Sequence, residues 1–131
     1  MVRVVYYPTV ELVKFIVKSL RETYPDDYIV IIKSIDDILS AAKWCRLRAK
    51  SVKNKILWYA ACLFYYFITG HPLSDGNKRC AVVLVLWFLK KNGYYVYKRK
   101  DVYGLALNTA MGEKSKEDVY KWFVKHVRRL K

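Results

Sequence analysis

The sequence is poor in the residues that build cross-linked or metal-stabilised folds. Its three cysteines, Cys45, Cys62 and Cys80, lie far apart and show neither the spacing of a zinc knuckle nor that of a redox pair. We therefore expect them to serve as small apolar residues. The three prolines and five glycines form no linker, and hydrophobic residues make up 54% of the chain. These features predict one domain over residues 1–131 with a single buried core.

Long hydrophobic runs are also missing. The continuous apolar stretches at residues 60–68 and 81–89 fall well short of the roughly 20 residues that cross a bilayer. The N-terminus shows no basic region followed by an apolar stretch and a small-residue cleavage site. We therefore expect no membrane association and a cytoplasmic location, and the two apolar stretches predict central core helices.

Acidic residues are few, with 11 Asp and Glu against 25 Lys and Arg, which leaves a formal net charge of +14. A charge of this sign attracts phosphates, nucleic acid, acidic proteins or anionic membrane surfaces, and by itself it does not choose among them. Many of the basic residues stand in short groups at residues 43–50, 98–100 and 125–131. A solvated surface around an apolar core would explain these groups equally well.

Apolar residues spaced three and four apart predict helices through most of the chain. Candidate N-terminal caps are Thr9, Ser34 and Ser115. Residues 28–32 and 94–97 suggest short extended segments, and residues 102–110 suggest a short helix. The predicted fold class is all-α, a bundle of about six helices with minor β structure at most.

The two central helices are apolar on every side for much of their length, so other elements must enclose them. The first is expected from about Val52 to Thr69, with Gly70 as its stop. The second should begin near Asn77 and end at an Asn-Gly pair, residues 92–93.

The loop between these helices concentrates reactive side chains. Residues 71–79 read His-Pro-Leu-Ser-Asp-Gly-Asn-Lys-Arg, and they contain one of only two histidines in the chain. A helix N-terminus offers unpaired backbone N–H groups and the positive end of a dipole, which suit a phosphate chain. An Asp-Gly turn, an Asn cap and surface cations are each common alone. Their combination between the two most apolar helices indicates a functional site.

Elementary chemistry suggests a role for each of these side chains. Asp75 would repel a phosphate, but it suits a Mg²⁺ ion that also touches substrate phosphates. Histidine titrates near neutral pH, so His71 is suited to accept a proton from an attacking hydroxyl. The phosphate donors would be Asn77, Lys78 and Arg79, with the backbone N–H groups around Gly76. This set fits phosphoryl or nucleotidyl transfer.

Residues 71–79 resemble the signature of the Fic/Doc superfamily, His-x-Phe/Leu-x-Asp/Glu-Gly/Ala-Asn-Gly/Lys-Arg, and within it the death-on-curing (Doc) toxin branch. The likeness extends over about residues 7–130. It implies a Fic/Doc-like domain that uses ATP or another nucleoside triphosphate with Mg²⁺. Position by position, it makes His71 the general base, Asp75 the metal ligand and Leu73 the apolar anchor of the loop. It assigns phosphate contacts to Gly76, Asn77, Lys78 and Arg79.

Two positions distinguish the branches of the superfamily. AMP-transferring members have Gly where this chain has Lys78, and a second Arg where it has Val82. Both departures resemble Doc, which implies phosphate transfer to a Ser or Thr hydroxyl of a target protein, with a translation elongation factor as the target class. A cation at position 78 would fill space that Gly leaves for the other nucleotide pose. AMP transfer on the same scaffold is the alternative.

The sequence also bears on regulation and on alternative functions. Residues 109–114 fit the superfamily's inhibitory motif only in part, so we expect control by a separate acidic antitoxin that complements the +14 charge. An inactive module that binds nucleic acid or protein is a third hypothesis. A mere binder, however, has little use for an acid and a base beside phosphate donors. A helical ribonuclease toxin is disfavoured because neither His71 nor His126 follows an arginine at the required spacing, and we expect His126 to be structural.

Overall fold

The computed structural model describes residues 4–49 and 52–130. Its elements in chain order are α1 (Val10–Thr23), α2 (Ile35–Arg48), α3 (Lys55–Gly70), α4 (Asn77–Lys91), β1 (Tyr94–Val96), α5 (Arg99–Ala110), α6 (Lys116–His126) and β2 (Val127–Arg129). The predicted all-α bundle of about six helices is confirmed. Lys50 and Lys131, members of two predicted basic groups, lie outside the described residues.

Helix starts divide into two kinds. Four helices of the described chain begin at a residue whose side chain accepts a hydrogen bond from a first-turn N–H, namely Thr9, Ser34, Asn54 and Ser115. Helices α4 and α5 instead begin at left-handed residues, Gly76 and Lys98, with no side-chain cap. Because no side chain caps α4, its first-turn N–H groups point to a region where a ligand can take the place of a cap.

The structure differs from the predicted elements at three places. Helix α3 begins at Lys55 rather than near residue 52, because Asn54 caps it. Helix α5 begins at Arg99, three residues before the predicted start. Val127, whose spacing from Val119 and Phe123 predicts a position on the last helix, instead begins β2, which pairs antiparallel with β1. The pairing extends beyond both strands, since the Leu130 N–H donates to Gly93 O at 2.7 Å.

Helix α3 is the centre of the core. It packs against α2, α4, α5 and α6, which explains why it is apolar on nearly every side. Aromatic rings fill its contacts, with Phe64 edge-on to Phe123 at 5.9 Å and Tyr59 against Phe88 at 4.8 Å. Burial raises the pKa of the Cys80 thiol to about 12, as expected for a cysteine that acts as an apolar residue.

Several basic side chains lie over aromatic rings. The pairs are Lys43 and Arg46 over Tyr7, Arg48 over Trp44, Arg79 over Tyr24, Lys91 over Tyr6, Lys116 over Tyr66, and Arg128 over Tyr97. A cation over a ring face gains electrostatic stabilisation from the ring quadrupole. Part of the basic surface therefore contributes to the fold. Among the described residues, no helix combines the length and the apolar character needed to cross a membrane.

Candidate active site

Helix α4 begins at a tight turn that only its glycine makes easily. Gly76 has φ of 81°, in the left-handed region, and its N–H donates to Asp75 Oδ1 at 2.8 Å. A methyl group at Gly76 would stand 3.4 Å from Ile29 Cδ1 and 3.8 Å from Arg79 Nη2. The Cys80 N–H makes the first helical bond, to Gly76 O at 2.9 Å. The N–H groups of residues 77–79 thus precede the helical ladder, as the anion site predicted here requires.

His71 ends the preceding helix. It is the C-cap of α3 and adopts φ 53° and ψ 55°, a left-handed conformation in which histidine is enriched over most non-glycine residues. Gly70, the predicted stop, is the last helical residue. The turn at His71 leaves its side chain exposed while the following Pro72 and Leu73 become buried. An imidazole in this position can reach an external substrate.

The side chain of Asn77 holds the loop in shape. Its Oδ1 accepts from the Leu73 N–H at 2.9 Å, and its Nδ2 donates to Leu73 O at 2.8 Å. Asn77 is only 5% exposed, and Leu73 is fully buried, in the position expected of the apolar anchor. In this structure the Asn77 amide therefore positions the loop, and a contact between that amide and a phosphate stays a prediction.

The extended segment at residues 28–32 lies directly beside this loop. Ile31 pairs with Leu73 as an isolated antiparallel bridge, and the Ile32 N–H donates to Pro72 O at 2.8 Å. The Ser74 hydroxyl donates to Tyr28 O at 2.7 Å and accepts from the Val30 N–H at 2.8 Å. No local pattern predicts these contacts of Ser74, because its partners lie more than 40 residues away in sequence.

Two adjoining hollows contain most of the predicted site. The larger, about 500 Å³, is lined by His71 and Lys78 together with the end of α5 and the connection to α6. The smaller, about 80 Å³, is lined by Asp75, Gly76, Lys78, Arg79 and Tyr103. Lys78 belongs to both, so its half-buried side chain stands between the predicted general base and the predicted metal ligand. Asn77, buried at the first residue of α4, lines neither.

Arg79 is held by residues that the sequence pattern did not identify. Its Nη2 lies 2.7 Å from Asp27 Oδ2 and 4.0 Å from Asp75 Oδ2, and its guanidinium stands 4.2 Å above the Tyr24 ring. The Asp27 carboxylate raises the pKa of Arg79 further above its already high ordinary value, so this group stays a cation. Tyr24, Asp27 and Tyr103 carry no local signal of a site, because only folding brings them to residues 75–79.

The acidic groups at the site fit a metal ion that takes most of its ligands from water and from phosphate oxygens. The described residues contain no group of three or more His, Cys, Asp and Glu side chains that could hold a metal ion. Asp75 offers one half-exposed carboxylate, with Oδ1 fixed by the Gly76 N–H. Mg²⁺ in nucleotide sites commonly takes one or two carboxylates and completes its shell with water and phosphate oxygens. A single Asp75 is compatible with that requirement.

Comparison with known proteins gives one match. The model of the Fic/DOC family matches residues 10–89, which include α1 to α3, most of α4 and the whole 71–79 loop. No curated protein and no solved structure matches the chain.

Proposed function

The chain belongs to the Fic/DOC family, whose members are typically transferases that move nucleotide-derived groups onto proteins, and from this premise we propose that it transfers the γ-phosphate of a nucleoside triphosphate to a Ser or Thr hydroxyl. The observation that carries the proposal is the position of Lys78. It joins the hollow that contains His71 to the uncapped start of α4, so a base and an anion site adjoin.

The size and charge of the two hollows support the binding of a nucleotide. The volume of about 500 Å³ beside His71 lies within the range of small-molecule sites, while about 80 Å³ at the helix start suits a single phosphate group. Lys78 and Arg79 supply cationic donors, and the first-turn N–H groups of α4 supply neutral ones. The phosphate chain would therefore lie at the start of α4.

Asp75, which lines the smaller hollow, would be the residue that holds Mg²⁺. When bound, the ion would neutralise charge on the phosphate oxygens during transfer. The chain's own contribution is to fix Asp75 Oδ1 through the Gly76 N–H, which leaves the second carboxylate oxygen for the ion.

The reaction needs little covalent chemistry from the protein. The hydroxyl oxygen of the target bonds to the γ-phosphorus, the bond between that phosphorus and the β–γ bridging oxygen breaks, and the nucleoside diphosphate leaves. The hydroxyl proton goes to the imidazole of His71, which must be neutral to accept it. Loop rigidity from Asn77 and Ser74 keeps His71 and the start of α4 in fixed relation.

The identity of the transferred group depends on residue 78. A half-buried lysine occupies space between the hollows that a glycine would leave open, which supports phosphate transfer of the Doc kind over AMP transfer. The target class that we propose is a translation elongation factor, and the regulator is an acidic antitoxin complementary to the net charge of +14.

Labelled nucleotide separates the alternatives. The purified chain is incubated with Mg²⁺, a cell lysate and ATP labelled at either the γ- or the α-phosphate. We expect label from the γ-position alone, and a target mass gain of about 80 Da rather than the roughly 329 Da of AMP. Label from the α-position would establish AMP transfer instead. Transfer of neither label, in the presence of bound nucleotide, would contradict the proposed activity.

A further inference from the structure

The guanidinium of Arg79 is fixed on two sides by the end of α1. Asp27 contacts Nη2 at 2.7 Å, and the Tyr24 ring lies under the guanidinium carbon at 4.2 Å. The Arg79 side chain is 21% exposed, so these contacts replace most of its solvent. Few long cationic side chains in a site keep one orientation without such support, because an arginine loses considerable rotamer freedom when it is ordered.

Both supporting residues come from one turn. Tyr24 is the C-cap of α1, and its backbone O accepts from the Asp27 N–H at 3.1 Å. Arg21 holds the chain that follows this turn, because its Nε donates to Ile29 O at 2.7 Å. The backbone on both sides of Asp27 is therefore held in place, which favours the contact of its carboxylate with Arg79.

The held guanidinium lies at the start of α4. Its Nη2 would stand 3.8 Å from a methyl group at Gly76, and Arg79 lines the hollow of about 80 Å³ together with Lys78 and Tyr103. Asp27 takes one of the five N–H donors of the guanidinium, and the planar fork keeps donors for a second anion. We propose that Asp27 and Tyr24 are positioning residues that hold Arg79 ready for the phosphates of the nucleotide. This inference rests on the proposed function.

Two effects of Asp27 oppose each other. Its negative charge repels a polyphosphate, and its removal would raise affinity if charge were all that mattered. Its contact with Arg79 already orders that side chain, so phosphate binding does not have to order it. For one long side chain, the entropy cost that is avoided corresponds to about two- to tenfold in affinity. Screening by solvent weakens the repulsion at this half-exposed carboxylate, so we expect the ordering effect to dominate.

The adjacent Asp26 provides a matched control. It is exposed and carries the same charge, and among the described residues it forms no ion pair or hydrogen bond with Arg79. Calorimetry with inorganic tripolyphosphate, and then with ATP and Mg²⁺, compares Asp26→Asn and Asp27→Asn in the full chain. We expect Asp26→Asn to bind equally or slightly more tightly and Asp27→Asn about two- to tenfold more weakly. Tighter or unchanged binding by Asp27→Asn would overturn the proposal.

Further variants show whether Asp27 acts through Arg79. Tyr24→Leu should weaken binding in the same direction, and Asp27→Glu should restore part of the affinity. In an Arg79→Ala background, Asp27→Asn should no longer weaken binding, whereas an equal loss there would contradict a positioning role. Melting temperatures of all variants identify any that fail to fold, and Tyr24→Leu keeps the test decisive if Asp27→Asn is one of them.

The outcomes separate this proposal from the proposed function. Tight tripolyphosphate binding that depends on Asp27, without any transfer of label, would leave the positioning role intact and contradict the transferase. If the chain transfers the γ-label but Asp27→Asn leaves the affinity and KM unchanged, the transferase would be supported and the positioning role contradicted. A wild-type chain that binds neither tripolyphosphate nor ATP would overturn both.

Discussion

Each end of α4 has a buried asparagine whose amide bonds backbone groups, but the two asparagines serve different purposes. At the start of the helix, the buried amide of Asn77 bonds both the N–H and the O of Leu73. At the other end, the equally buried amide of Asn92 accepts from the Tyr6 N–H at 2.8 Å and donates to Tyr6 O at 2.9 Å. One asparagine thus shapes a loop at the candidate site, and the other fastens the N-terminal segment to the core.

The cations beside these asparagines show why only one end is a site. Lys90 and Lys91 lie in the last turn, where a positive charge complements the negative end of the helix dipole. Lys78 and Arg79 lie in the first turn, where a positive charge opposes the dipole; Asp27 compensates Arg79, but Lys78 forms no ion pair among the described residues. A bound anion would remove that conflict. Cations at the unfavourable end of an uncapped helix therefore indicate a phosphate site more strongly than a net charge of +14 does.

The largest expected effect comes from the proposed base. His71→Asn, which tolerates the left-handed backbone, should lower the rate of transfer by about 10²–10⁴-fold because the hydroxyl proton loses its acceptor. His126→Asn is the control, since His126 stacks on Trp122 at 4.1 Å and bonds Trp122 O away from the loop. Label transfer at saturating nucleotide measures both variants. An active His71→Asn would refute the assigned base.

The second-largest expected effect is on phosphate binding by the lysines at the two ends of α4. Lys78→Ala should weaken tripolyphosphate binding by roughly 10- to 100-fold, since a charge-assisted hydrogen bond to phosphate is lost. Lys90→Ala removes the same charge at the far end of α4 and should change affinity by less than about twofold at physiological salt. Calorimetric titration gives both values. Equal losses would mean that phosphate binding depends on overall charge rather than on the start of α4.

The two asparagines should differ in activity rather than in stability. Asn77→Ala leaves the buried N–H and O of Leu73 without partners, and Asn92→Ala removes two bonds to the part-buried backbone of Tyr6, so each should lower the free energy of unfolding by about 1–3 kcal/mol. Urea unfolding measures the loss. At a temperature where both variants are folded, only Asn77→Ala should also reduce transfer, because only its loop contains His71. A comparable fall in transfer for Asn92→Ala would remove the distinction between the two ends.

The smallest expected effect is on the free energy of unfolding, and its sign differs between the two ends of α4. At low ionic strength and without phosphate, Lys78→Ala should raise the free energy of unfolding by about 0.3–1 kcal/mol, and Lys90→Ala should lower it by a similar amount. Thermal unfolding in a phosphate-free buffer detects the difference. Added tripolyphosphate should stabilise the wild type and reverse the sign for Lys78→Ala. A stabilising effect of both substitutions would mean that repulsion across the basic surface outweighs the dipole.

Features that depend on neighbours in sequence could be predicted well. The caps at Thr9, Ser34 and Ser115 were recognised because each bonds an N–H only three residues ahead. The 71–79 loop was recognised because its residues are contiguous. In contrast, the helical spacing of Val127 gives no sign of β2, since its partner strand lies some 30 residues earlier.

The amino-acid sequence by itself determined the helical class, the two apolar central helices and the group of reactive side chains between them, because periodicity, caps and contiguity are local properties. Only the tertiary structure decided which groups those side chains meet. It turned the Asn77 amide onto Leu73, placed Lys78 between two hollows, and brought Asp27 to Arg79 across 52 residues. Contacts at that separation form only when the packing of α1 against α4 sets the distance, and no pattern along the chain encodes it.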